Sequence, residues 1–482
     1  MTTQYASSLA PRDRLAFQLY VGIGVVVFAL MMIVGAALRM THATWLPISA
    51  NYFYELMTLH GAGTVGTAGL AGAAVMWFFL RRYVTLSTGV FLTTLAMSLV
   101  GVVLIIGAIV FGRFAAAWTF LYPLPAKSMG IWGPHAAAAY VLGLVCIGVG
   151  FLLFYADCAI AITKRYGSLW QALGAPQVFG ASLDDSHPPT VVASAMVIIV
   201  NVIGILAGAV VLVMTLVNLY IPSMVFDALV MKNLIFFFGH VFINATIYMA
   251  VIAVYELLPR YTGRPWKVSR VFLAAWLAAT LMVMAVYPHH LFMDFVMPKW
   301  ATVLGQVLSF LSGIPVIVVT AYGVLVNIHR SQLRWDLPSR LVVLSIFGWA
   351  AGIVPAVIDG TIAINKVMHN TLWVPGHFHF YLLLGLLPML LGFMFYVLGK
   401  KGEASAGDTV AFWAYAIGGT VFCFGFLHAG YAGVPRRFAV HASEWIGTAQ
   451  FGSIAGLVVV LAAAWLAVRL LVRLPRADLA VA

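Results

Sequence analysis

The sequence predicts an all-α fold, a single polytopic bundle of about twelve membrane-spanning helices. Three observations predict it. The 482 residues are 63% hydrophobic and only 8% charged, with mean hydropathy +1.03. A soluble chain of this size needs far more charge to cover its surface. Apolar stretches of about 20 residues, each long enough to cross a bilayer core, recur along the whole length. They lie at 17–39, 54–80, 86–112, 133–160, 190–220, 233–258, 271–293, 302–328, 339–364, 371–398, 409–432 and 446–471. A bilayer offers no hydrogen bonds to bare backbone, so such stretches must be helices or strands of a closed barrel. Their length and their lack of period-two alternation exclude the barrel.

The formal net charge of +12 raises the question of nucleic acid, and its distribution answers it. Eighteen of the 26 Lys and Arg residues lie at the two termini or in alternate loops. They run from Arg12 and Arg14, through Arg81, Arg82, Lys164, Arg165, Arg260, Arg264, Lys267, Arg270, Arg330, Arg334 and Arg340, to Lys400, Lys401, Arg469, Arg473 and Arg476. The positive-inside rule then places both termini in the cytoplasm. The basicity reads as a topology signal, with the lipid bilayer and not nucleic acid as its partner. The start, Met-Thr-Thr-Gln, is polar and lacks a small-residue cleavage site, so the first helix is expected to be retained. Cys146, Cys158 and Cys423 fall inside predicted spans and imply no disulfide. There is no CxxCH motif for covalent haem c, and no cysteine pair spaced for a copper dimer.

One domain, 1–482, accounts for the whole chain, without internal repeats. The longest non-membrane stretch is 164–189, with Asp184-Asp185 and the turn Pro188-Pro189 at its end. In the eighth span, Pro315 preceded by Gly313 predicts a kink.

Chemistry is concentrated in the 13 histidines. A lone histidine in a membrane helix is often only hydrogen-bonded to a neighbour, yet intramembrane ionisable groups are functional candidates, and here they are grouped. His60 lies near the outer end of span two and His240 early in span six. His289 and His290 are adjacent at the outer end of span seven. His377 and His379 open span ten. Alternating span direction puts all six at similar depth on the outer side. Neutral imidazole suits both copper and haem iron. Two residues apart on a helix is about 200° of rotation, so His377 and His379 cannot share one metal but can bind two metals on opposite sides.

The stretch His369-Asn-Thr-Leu-Trp-Val-Pro-Gly-His377-Phe-His379-Phe resembles the tenth-helix motif of the haem–copper oxidases, and of their B-type branch in particular. His289-His290-Leu-Phe resembles the seventh-helix copper motif, and Phe-Phe-Gly-His240 the sixth-helix motif. Trp118-Thr119-Phe120-Leu-Tyr122-Pro123-Leu-Pro125 resembles the loop after helix three. Gly433-Val-Pro435-Arg436-Arg437-Phe resembles the loop after helix eleven. The matches run in family order over most of the chain, and the family core also has twelve helices. The resemblance implies two haems and one copper. His60 and His379 would be the axial ligands of a low-spin haem, which then only carries electrons. His377 would hold a high-spin haem facing a copper bound by His240, His289 and His290. Arg436 and Arg437 would pair with haem propionates. Arg39, ending span one, resembles the family arginine beside the low-spin haem; an interfacial snorkelling role is the other reading.

The departures bear on the substrate. Oxygen-reducing A- and B-type members carry a tyrosine four residues after the sixth-helix histidine, which supplies an electron and a proton when the O–O bond breaks. Here that residue is Asn244, which cannot donate an electron but can hydrogen-bond to a gas or a copper ligand. Phe242 replaces the A-type glutamate and Val319 the A-type lysine; B-type members lack both as well. Coupling two NO molecules to N₂O needs only two electrons. The superfamily's nitric oxide reductases also replace the tyrosine, commonly with glutamates at +4 and +8, where this chain has Asn244 and Tyr248. Without a carboxylate, copper is expected in place of non-haem iron. Tyr248 and Tyr287 are candidates for a displaced redox tyrosine, the alternative being packing with a satisfied hydroxyl. His240, Asn244, Tyr248 and Tyr255 fall within an arc of about 80°, a candidate proton line that Thr320 and Ser312 could extend; scattered packing hydroxyls are the alternative.

The expected function is that of the catalytic subunit of a respiratory terminal reductase, with NO reduction to N₂O favoured and cytochrome c oxidase as the alternative. Expected partners are a subunit II-like electron-donating subunit carrying a copper dimer or haem c, a cytochrome c or cupredoxin donor, and a gas, NO or O₂. The expected location is a prokaryotic cytoplasmic membrane. A proton-coupled transporter using the histidines as relays, or a haem carrier or gas sensor without turnover, are the rivals from other classes.

Overall fold

The computed structural model describes residues 9–183, 187–398, 404–476 and 479. Asp184, Asp185, Lys400, Lys401, the side chain of Arg476 and the first eight residues lie outside the described set. Among the described residues, twelve helices are long and apolar enough to cross a membrane. In chain order they are Pro11–His42, Ala50–Leu80, Thr88–Val110, Pro134–Tyr166, Pro189–Tyr220, Ala228–Thr262, Arg270–Leu291, Lys299–Ile328, Leu337–Asp359, Trp373–Val397, Ala406–Tyr431 and Ser443–Arg473, here spans one to twelve. Among the described residues there is no strand, only an isolated bridge between Thr371 and Pro435.

Polar residues set where the helices begin. Ser49, Ser87, Asp227 and Ser269 cap spans two, three, six and seven by accepting a backbone N–H from the first turn. Reciprocal capping boxes start span nine, with Asp336 and Ser339, and span eleven, with Ser405 and Asp408. The spans run longer than the apolar stretches: span four continues to Tyr166 and span six begins at Ala228, because caps and basic residues extend a helix beyond its hydrocarbon-spanning part. Span nine is shorter, stopping at Asp359, and a separate turn, Ile362–Met368, follows after Gly360-Thr361.

Three spans are not regular. Span eight is α-helical to Leu311, resumes at Ile314, and then widens into a π segment, Ile317–Ala321. Pro315 lacks an N–H and crowds the carbonyl four residues back, so the kink falls where the sequence places it. Span seven leaves the α-helix at Ala285 and tightens to a 3₁₀ turn, Tyr287–Leu291, with Pro288 in its first turn. That turn presents His289 and His290. Span ten is α-helical over Trp373–His379 and π-helical over Phe380–Leu386.

Consecutive spans pack as neighbours, and span one closes the bundle against span twelve. Spans ten and two are the most enclosed, with 89% and 78% of their apolar windows buried, whereas span eight has 17%. The enclosed spans carry His377, His379 and His60. At the opposite end of the bundle, buried carboxylates tie the helices together. Glu256 accepts from Arg82 and Tyr83, both at 2.9 Å, and from Thr190. Asp408 takes a two-pronged contact from Arg469, 2.9 Å on each oxygen.

Candidate haem and metal centre

His60 and His379 face one another's neighbourhood from spans two and ten. His60 Nδ1 lies 2.8 Å from the Met31 carbonyl oxygen, and His379 Nδ1 lies 2.6 Å from that of Pro375. A carbonyl oxygen only accepts, so each Nδ1 carries the proton and each Nε2 is left with a lone pair. Gly35 makes room for the first ring, since a Cβ there would come 2.7 Å from His60 Cε1. His379 stacks on Phe426 at 5.0 Å, and the Arg39 guanidinium lies over the same ring at 4.7 Å. Arg39 is 5% exposed, and its Nε and Nη1 have no hydrogen-bond partner among the described residues. A snorkelling side chain would reach water; this one does not.

On the other side of span ten, three imidazoles converge. His240 Nδ1 is 3.3 Å from His290 Nε2, which is 3.1 Å from His289 Nε2. One ligand atom from each ring lies within 4.8 Å of the others. Nitrogens about 2.0 Å from a common ion at tetrahedral angles stand about 3.3 Å apart, so the trio fits one metal. His289 Nδ1 contacts Ser309 Oγ at 2.8 Å. Asn244 Nδ2 lies 3.3 Å from His240 Nε2 and donates to the His240 carbonyl oxygen at 2.8 Å.

Residues 16–463 match the family model described as cytochrome c and quinol oxidase polypeptide I. The chain belongs to this family. Among curated relatives, it is 25% identical to cytochrome c oxidase subunit 1 of Thermus thermophilus over 44% of this chain and 41% of that one. It is 26% identical to cytochrome c oxidase polypeptide 1 of Halobacterium salinarum, over 45% and 37% of the two lengths. It is 24% identical to heme-copper oxidase subunit I+III of Aeropyrum pernix, over 48% and 28%. The matches thus span less than half the length of these relatives. A solved heme-copper terminal oxidase dimer superposes with a TM-score of 0.80 at 18% identity, over 96% of this chain and 84% of that one, which shows the fold. These relatives carry oxidase names.

The polypeptide I family implies haems and copper, and the residues present fit them. Two imidazoles with free Nε2 atoms beside a buried unpartnered guanidinium suit a low-spin haem. His377 sits between the two centres, its ring edge-on to Tyr381 at 6.1 Å. The loops that would meet propionates lie together: Arg436 Nη2 is 3.4 Å from Asn370 Oδ1, and Arg437 Nη2 is 3.2 Å from Thr119 Oγ1. Among the described residues neither arginine has a carboxylate within ion-pair reach. Burial, with Arg437 beside it, pushes the Arg436 guanidinium down to about 10 against the pull of Asp359. An anion there would relieve it.

Other expectations divide. Tyr255 and Thr320 join through a hydroxyl contact of 2.7 Å. Tyr248 packs edge-on against Trp276 at 5.4 Å. Tyr287 OH donates to Asn233 Oδ1 at 3.0 Å, which gives it a structural partner on span six. Three features escaped sequence reasoning. His369 Nδ1 lies 3.2 Å from Asp359 Oδ2, His42 and His441 stack at 3.8 Å, and Ser309 supports His289. Only His369 carried a signal, inside the tenth-helix motif; the others are contacts between separate elements.

Proposed function

We propose that this chain is the catalytic subunit of a haem–copper terminal reductase, closest to the B type, that couples two NO molecules: 2 NO + 2 H⁺ + 2 e⁻ → N₂O + H₂O. His60 and His379 would hold the low-spin haem, His377 the high-spin haem, and His240, His289 and His290 the copper. When bound, these groups would supply electron transfer and gas binding. The chain's own residues do the rest. Arg436 and Arg437 offer forked donors to propionates. Tyr255 and Thr320 form a hydroxyl pair able to hold and pass a proton. Asn244, tied by its Nδ2–H to the His240 carbonyl oxygen, lies against the ring of His240.

The observation that carries the NO reading is Asn244 itself. It occupies the place beside His240 Nε2 where an oxidase needs an oxidisable phenol, and an amide gives up no electron. Tyr248 lies a further turn away, against Trp276. The second reading, O₂ + 4 H⁺ + 4 e⁻ → 2 H₂O, is favoured by the names of the relatives. The orientation with both termini in the cytoplasm of a prokaryote, the electron-donating subunit with a copper dimer or haem c, and the cytochrome c or cupredoxin donor belong to either reading. Turnover of the purified reduced complex with NO and with O₂ in parallel tests them. N₂O release with weak O₂ uptake supports the first; rapid O₂ uptake with little NO consumption sinks it.

A further inference from the structure

Span two carries one acidic residue, Glu55, and it is 5% exposed. Its partner comes from the loop after span three: Arg113 Nε lies 3.1 Å from Glu55 Oε1, with the arginine side chain 55% exposed. We infer that Glu55 and Arg113 are positioning residues for the proposed low-spin haem, latching at the surface of the bundle a loop that reaches inward beside His60. This rests on the reading of His60 and His379 as haem ligands. Two further contacts follow on successive turns of span two. Thr58 Oγ1 accepts the Ala117 N–H at 3.0 Å, and its own hydrogen goes to the Tyr54 carbonyl oxygen at 2.7 Å. Gly61, next to His60, leaves space for the Trp118 indole, which a Cβ there would overlap. Glu55 and Gly61 are six residues apart, about 9 Å along the helix, so the loop descends from the exposed end of span two to the level of His60.

The path of this loop needs holding. Arg113 and Ala117 have φ of 56° and 68°, the left-handed region that a side chain disfavours. At its deep end the loop meets residues of both proposed haem sites. Trp118 stacks on Phe378 at 6.5 Å with 19° between the ring planes, and Phe378 separates His377 from His379. Thr119 Oγ1 lies 3.2 Å from Arg437 Nη2. A shift of the loop would therefore be felt beside His60, between the two histidines of span ten and at Arg437. Breaking the latch is asymmetric. Without Arg113 a buried carboxylate is left unpaired, whereas without the Glu55 charge Arg113 turns to water.

The test compares the wild-type complex with Arg113→Ala, Arg113→Lys, Glu55→Gln and the double variant Arg113→Ala/Glu55→Gln. The readouts are haem content, the midpoint potential of the low-spin haem, and EPR of its oxidised form, which reads the mutual orientation of the two imidazoles. Charge alone would move the potential in opposite directions, down on loss of Arg113 and up on loss of the Glu55 charge. A shared latch instead shifts the EPR signal the same way in both single variants, further in Arg113→Ala. The double variant should shift no further than Arg113→Ala, and lysine, which keeps the cation, should restore the wild-type signal. Haem content should stay as in wild type. Wild-type EPR signals in both single variants overturn the inference, as do shifts that add in the double. Loss of haem from both single variants overturns it too, since the pair would then serve folding. A wild type without a bis-imidazole signal overturns the ligand assignment beneath it, and that sample alone tells the two failures apart.

Discussion

The two proposed ligand sets flanking span ten are held in different ways. On the low-spin side, His60 and His379 are fixed by main-chain carbonyls, those of Met31 and Pro375. On the copper side, His289 and His240 meet side chains, Ser309 and Asn244. A carbonyl cannot be mutated away, so the first arrangement survives any substitution that preserves the backbone. A side-chain support can be exchanged one residue at a time. The contrast fits the proposed roles: a haem that only passed electrons would need a constant geometry, whereas a centre that met the gas would be adjusted to its substrate through the residues behind its ligands.

The strongest way to break this comparison is to remove a ligand from each side. His379→Ala should abolish the low-spin haem band. His240→Ala should leave both haem spectra and lose copper. Each should lower turnover by more than the about 100-fold upper range for an outer partner. If His240→Ala disturbs the low-spin band as much as His379→Ala does, the two sides are not independent. Next in size is Asn244→Leu, which keeps the bulk but removes the amide; NO turnover should fall about 10- to 100-fold with copper retained. Asn244→Tyr should raise O₂ turnover relative to NO, measured with the same donor. Arg436→Ala should lower a haem midpoint potential on the order of tens of millivolts, through loss of a charge-assisted hydrogen bond of about 1.5–3 kcal/mol, read by redox titration.

A smaller effect concerns the loop after His290. Asp294 accepts from Lys232 at 2.9 Å, and this bond holds its carboxyl below the ordinary range. A lowered folded value means the stabilisation is present above about pH 4 and lost as pH falls through the folded value. Being partly solvated, the pair contributes less than about 1 kcal/mol. Lys232→Met should therefore lower stability by less than about 1 kcal/mol at neutral pH and make no difference once pH has fallen below the folded value, read as thermal unfolding across pH. Smallest of all is Met31→Leu. The carbonyl remains, so the low-spin haem spectrum should not move; a change there would show that the side chain shares in holding His60.

What was legible in the sequence follows the same division. Histidines and arginines stand out in apolar spans because a membrane interior penalises them, so His60, His240, His289, His290, His377 and His379 could be found and grouped by depth alone. The opposite facing of His377 and His379 follows from helical rotation. Pro315 announced its kink. Ser309 could not be found, because a serine in a membrane helix usually bonds its own carbonyl, and its second contact crosses to another span. The same holds for His42 and His441, brought together from the first span and the loop before the twelfth. The 3₁₀ turn under His289 and the π segment of span ten left no periodic trace.

That π segment, Phe380–Leu386, has a consequence for length variation. A π turn carries one residue more than the α turn it replaces. Deleting a single residue within it would close the wide turn into ordinary helix and leave both ends facing as before. The same deletion between 387 and 397 would swing the remainder of the helix by about 100°. Span ten therefore has one place where its length is negotiable, immediately below His379, and a deletion scan through 380–397 would find it as a short tolerant window in an otherwise intolerant helix.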